Sequence, residues 1–132
     1  MEKYKNMKEN ICKIDAKIII AGGRNFNDYN VVKHVCDKYT KDKYNSIEVV
    51  CGMAKGVDLL GKKWGDDNGY NIKEFPANWV KYRSSAGPIR NKQMAEYGNV
   101  LIAFWDSNSK GTKNMIDIAK DLGLDIIIFK IE

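Results

Sequence analysis

A chain of 132 residues, 44% of them hydrophobic, has the size of one domain and enough apolar material to enclose a core. No apolar run nears the roughly 20 residues that span a bilayer, and the polar start MEKYKNMKENICKIDAK lacks the stretch of a secretory signal. A soluble, cytoplasmic protein with no membrane partner is expected. The net charge of +5 comes from 19 scattered lysines against 3 arginines, with no block of five like charges, so a solvated lysine surface is a better expectation than a nucleic-acid track.

Residues 1–16 are polar, lysine-rich and without clear periodicity, and are expected to form an arm ahead of a single domain at 17–132. Lys17 to Ala21 reads as a buried strand. A helix follows, capped by Asn27 or Asp28, with Val31, Val32, Val35 and Tyr39 at helical spacing. Ile47 to Cys51 is a second strand, and Ala54 to about Asp66 a helix with Val57, Leu60 and Trp64 along one side. Asn71 to Phe75 is a third strand, ended by Pro76. Ala86 to Tyr97 is a helix that tolerates Pro88 in its first turn. Val100 to Phe104, then a helix from Lys110 to Leu122 closed by Gly123, then a strand from Asp125 to Ile131 complete the chain.

Strand and helix alternate from end to end, and the strands are continuous apolar runs. That pattern predicts an α/β fold: a Rossmann-like three-layer sandwich around a mainly parallel sheet of five or more strands. With right-handed crossovers the expected strand order is 3-2-1-4-5. Its switch point lies between the first and fourth strands, where ligands bind outside the carboxyl ends.

The segments at those ends are unusual. Gly22-Gly23-Arg24 and Asp28 follow the first strand; Gly52, Gly56 and Asp58 follow the second; Trp105, Ser109, Gly111 and Thr112 follow the fourth. Glycines let backbone N–H groups approach an anion, and a helix N-terminus adds free donors and partial positive charge. Ser109, Gly111 and Thr112 fit a phosphate cradle, and equally an ordinary N-cap. Trp105 fits a base-stacking surface or a core plug. Asp28 and Asp58 fit helix capping or bracing as well as ligand contact. Arg24, Arg83 and Arg90, the three arginines of a lysine-rich chain, all fall in or beside glycine-containing segments, where a guanidinium fork suits a phosphate or pairs structurally. Neither GxxxxGK[ST] nor GxGxxG is present. Cys12, Cys36 and Cys51 and the lone His34 have no disulfide or metal-ligand spacing, so no metal or cofactor is expected and Cys51 reads as a small core residue.

Taken together, GGRxFxD, GxAxGVDxxGxxW, PAxW, AGxxRNxxM and AFWxxxSxGTxxM resemble the YspA/YpsA-related branch of the SLOG superfamily, over about residues 17 to 130. The superfamily also includes the DNA-processing protein A group and the Lonely Guy proteins. The resemblance implies a Rossmann-like fold, a nucleotide or nucleotide-derived ligand, and self-association as a dimer or larger. Lonely Guy enzymes release the base from nucleoside monophosphates with an arginine in an RKxxM-like segment and a glutamate in PGGxGTxxE. By that likeness Arg90, followed by Asn91 and Met94, takes the phosphate-side role, while Met115 stands where the glutamate would be. A methionine can neither move a proton nor stabilise an oxocarbenium-like centre. The expected function is therefore a sensor or sequestering module for a phosphate-bearing nucleotide derivative. The alternatives are a nucleotide-processing hydrolase, with Asp28 or Asp58 replacing the glutamate, and a single-stranded nucleic-acid-binding module.

Overall fold

The computed structural model describes residues 14–131; Cys12 and the arm over residues 1–13 lie outside the described residues. Eleven elements follow in chain order: β1 (Ile14–Gly22), α1 (Tyr29–Thr40), β2 (Tyr44–Cys51), α2 (Val57–Asp67), β3 (Asn71–Glu74), α3 (Trp79–Tyr82), a 3-10 turn (Arg83–Ser85), α4 (Ala86–Tyr97), β4 (Val100–Trp105), α5 (Lys110–Asp121) and β5 (Asp125–Lys130). The sheet has five strands in the order β3-β2-β1-β4-β5, and every pair is parallel. This is the expected Rossmann-like α/β fold in the expected order.

The isoleucine run of β1 shows why the sheet needs helices on both faces. Successive side chains alternate across a strand. Ile18 and Ile20 enter one core, with Val32 and Val35 of α1 and Val57 and Trp64 of α2. Ile19 and Ala21 enter the other, with Met94 of α4 and Met115, Ile116 and Ala119 of α5. All three isoleucines are buried, and each contributes about 1.5–3 kcal/mol of burial. Trp64, the largest buried side chain, satisfies its indole N–H by donating to Asp37 at 2.9 Å.

Element boundaries differ from expectation in informative places. β1 starts at Ile14 and β2 at Tyr44, each three residues early, because the two strands pair along residues that carry no apolar pattern. α2 starts at Val57 rather than Ala54. Gly56 has a φ of +86°, and Met53 one of +63°, so residues 53–56 form a turn that cannot be helical. α3 and the 3-10 turn after it were not expected; Asn78 caps α3 by accepting from the Lys81 N–H at 3.0 Å.

Candidate functional site

At the switch point β1 and β4 lie side by side and their following segments diverge, leaving a cavity of about 430 Å³. Gly22 and Arg24 form one wall, Ser109 to Thr112 the opposite wall, and Met94 and Met115 an apolar floor. The two segments singled out after the first and fourth strands thus meet in one crevice.

The β4 side is organised by capping. Ser109 is the N-cap of α5: its Oγ accepts from the Thr112 N–H at 3.3 Å and lies 2.9 Å from the Thr112 hydroxyl. The Lys113 N–H bonds the Ser109 carbonyl at 3.1 Å. The N–H groups of Lys110 and Gly111, in the first turn, have no intrahelical acceptor and belong to residues on the cavity wall. A Cβ on Gly111 would meet nothing within 4 Å, so that wall is open to a ligand.

The β1 and β2 segments are held by close approach. A Cβ on Gly56 would lie 2.3 Å from the Gly23 carbonyl oxygen, and the Val57 N–H donates to that same carbonyl at 3.2 Å. Only glycine lets the two segments touch in this way. Asp58, in the first turn of α2, accepts from the Ala54 N–H at 3.3 Å and from the Gly22 backbone. Burial pushes its carboxyl up to about 6, against the opposing pull of the Arg90 and Arg24 cations and the backbone donors.

Arg90 is buried in the middle of α4. Its guanidinium donates to the Gly52 carbonyl and, through Nε, to the Asn91 side-chain oxygen at 3.0 Å. Desolvation lowers its pKa, Asp58 opposes that, and the nearby Arg24 cation adds to it. Asn91 in turn donates to Asn114 at 2.9 Å, tying α4 to α5. Arg90 and Asn91 therefore border the crevice while bracing it. The cation on its open side is Arg24, exposed and lying over the Trp79 ring at 5.7 Å. The four ion pairs among the described residues all use lysine, so Arg24 makes no direct ion pair there and acts on Asp58 only at longer range.

Four expected site residues lie outside the crevice. Asp28 is exposed and caps α1, accepting from the Val31 N–H at 3.3 Å. Phe26, stacked on Phe104 with ring centroids 6.3 Å apart, anchors the intervening chain on the α1/α2 face of the sheet, away from the crevice. Trp105 packs against the core under α4 and α5, and its indole N–H donates to the Ser109 carbonyl at 3.1 Å. It shapes the loop before α5 and offers the crevice no stacking face. Gly23 borders a neighbouring depression with Phe26 and Ile131, and Gly52 a further recess beside Arg90.

The aromatic wall is supplied by Trp79, 46% exposed and seated against Gly87, where a Cβ would be 3.5 Å from its ring. The tryptophan of PAxW was the available signal. Asn114 and Met94 also line the crevice; they could have been found only from the helical phase of Asn91 and Met115. Arg83 does not border it. Among the described residues no cluster of three or more His, Cys, Asp or Glu could hold a metal ion, and no helix is long and apolar enough to cross a membrane.

A parallel sheet with its crevice at the switch point and glycine-rich turns on both sides is the architecture of nucleotide-handling Rossmann-like domains. The chain belongs to the YspA, cpYpsA-related SLOG family, whose sequence model matches residues 16–82. Among solved structures it is similar to DNA processing protein A (DprA) from Streptococcus pneumoniae, with a TM-score of 0.70 at 16% identity, over 89% of this chain and 51% of that one. The likeness is one of fold, and this chain spans about half the length of that neighbour. A comparison with curated proteins finds no match.

Proposed function

We propose that the crevice binds a nucleotide or nucleotide-derived, phosphate-bearing ligand and that the protein acts as a sensor or sequestering module, self-associating as a dimer or larger. The observation that carries this reading is the meeting of Arg24 with the open first turn of α5 across one cavity that has an apolar floor. A phosphate takes the guanidinium and the backbone donors, and the apolar remainder of the ligand takes Met94, Met115 and the Trp79 face. Family membership supports a nucleotide-related ligand.

The test has two arms. Denaturing the purified protein and identifying the released small molecules by mass spectrometry names the ligand class. Calorimetry with nucleoside monophosphates then compares the protein with Arg24→Lys. Lysine keeps the charge and loses the fork, so binding weakens roughly 10- to 100-fold with little change in melting temperature. Equal affinity in the variant makes Arg24 structural and removes the main support for the reading.

A second reading, hydrolysis of a nucleotide, is favoured by one observation: Asp58 is a carboxyl on the cavity wall with a pKa near 6, the range of a general acid or base. The structural neighbour is a DNA processing protein, so single-stranded nucleic acid is the third alternative.

A further inference from the structure

The crevice does not end at Trp79. Beyond the wall formed by Arg24, Trp79 and Arg90 lies a recess of about 330 Å³, between the segments that follow β2 and β3. Three cationic side chains border it, Arg24, Lys55 and Arg90, and none of its bordering residues is acidic. Asp58, the carboxylate that offsets Arg90, lines the first cavity, and its Oδ2 comes within 2.7 Å of where a Cβ on Gly52, a residue bordering the recess, would be.

The charges in the recess are offset only in part: Asp58 acts on Arg90 and Arg24, while Lys55 is exposed and has no ion-pair partner among the described residues. Desolvation lowers the pKa of Arg90, Asp58 opposes that and the Arg24 cation adds to it, so the two guanidinium groups are near enough to feel each other. Met53 holds a φ of +63°, a conformation that is costly for a side chain and collects at ligand sites. At Gly52 a Cβ would lie 2.7 Å from an Arg90 guanidinium nitrogen, so glycine is what lets that guanidinium reach the segment bordering the recess.

We infer that the recess is a second phosphate subsite, and that the ligand carries at least two linked phosphates, as in a nucleoside diphosphate or a pyrophosphate-bridged nucleotide derivative. The first phosphate lies in the crevice between Arg24 and the first turn of α5. The second passes the Arg24–Trp79 wall and is met by Lys55 and the outer faces of Arg24 and Arg90. Arg24 sits on the shared wall and serves both groups. This rests on the nucleotide reading of the crevice and adds the phosphate count to it.

The experiment is calorimetry at fixed ionic strength with AMP and ADP, and with UMP and UDP, on the protein and on Lys55→Gln. Lys55 is exposed and makes no hydrogen bond among the described residues, so its removal leaves the fold intact; melting temperature verifies this. The diphosphates bind the unmodified protein roughly 10- to 100-fold more tightly than the monophosphates, the worth of one charge-assisted contact. Lys55→Gln removes most of that gain and leaves monophosphate affinity unchanged. Equal affinity for mono- and diphosphates in the unmodified protein overturns the second subsite and leaves the nucleotide reading standing. A diphosphate gain that survives Lys55→Gln overturns its location, and an equal loss for both series shows that Lys55 does not distinguish a second phosphate. Absence of binding by any of the four overturns the nucleotide reading and this inference with it.

Discussion

Asp58 ties the end of β1 to the turn after β2 while buried beside a cation, and that position has a measurable consequence. Its carboxyl titrates near 6 in the folded protein against an ordinary value of 3.8. Between those values the folded protein holds a proton that the unfolded chain has released, so stability falls as pH rises from about 4 to about 6 and levels off above. The full effect is on the order of 3 kcal/mol. Asp58→Asn cannot titrate, so urea unfolding of the two proteins at pH 4, 5, 6 and 7 should diverge in slope over that window, whatever the absolute cost of the substitution. Parallel profiles show that Asp58 is not the group responsible. Met115 bears on chemistry. It lies in the crevice floor, 1% exposed, where the glycosidic relatives are expected to hold a carboxylate. AMP should therefore not be cleaved to free base, since lost acid–base help alone costs about 10²–10⁴ in rate. Brisk release of adenine, followed by chromatography, transfers the function to the hydrolase reading, with Asp58 the first residue to substitute. At this scale the sequence was legible where chemistry and position coincide. Arg24 stood out because arginine is rare in this chain. Asp28 and Trp105 carried the right chemistry beside the right glycines, yet a cap and a core contact claimed them. Which of two tryptophans faces a cavity depends on tertiary packing that no local pattern records.

The elements were legible where one face is apolar over several turns or a strand is apolar throughout. α4 runs from Ala86 to Tyr97 as expected although its buried face includes Arg90 and Asn91, and Pro88 is tolerated because a first-turn proline gives up no helical hydrogen bond. Short, half-exposed pieces were not legible. α3 has four residues, and Arg83 after it has a φ of +55°, which no side-chain pattern announces. The start of α2 was misplaced for a reason that can be tested. Ala54 and Lys55 are compatible with a helix, but Gly56 must adopt a φ of +86° so that its Cα can pass under the Gly23 and Arg24 carbonyls. Gly56→Ala combines an unfavourable backbone conformation with a methyl group 2.3 Å from a carbonyl oxygen. Destabilisation of about 2 kcal/mol or more is expected by urea unfolding, together with weakened ligand binding, because the strand-one and strand-two segments are forced apart. A loss below about 0.5 kcal/mol would mean that these segments separate freely and that their contact does not shape the crevice.

For the molecule as a whole, topology was readable because few arrangements of five alternating βα units obey right-handed crossover, and the switch point follows from the order. The distribution of charge was less readable, since a formal +5 says nothing of where it lies. On the surface, some lysines are balanced locally: Lys33, Lys63 and Lys113 each pair with an aspartate one helical turn on. Other lysines, such as Lys41, Lys92 and Lys120, make no ion pair among the described residues and are scattered, whereas Arg24, Lys55 and Arg90 stand together at the carboxyl ends of the strands. A compact cluster of that kind can engage two or three phosphates and no more. For a single-stranded oligonucleotide, log K falls against log salt with a slope of about −0.7 per phosphate neutralised. A single-stranded DNA 12-mer titrated between 50 and 300 mM salt should therefore give a slope no steeper than about −2. A slope of about −4 or steeper needs six or more phosphates along an extended track. That result would make nucleic acid the ligand, with the crevice as one stop along its backbone.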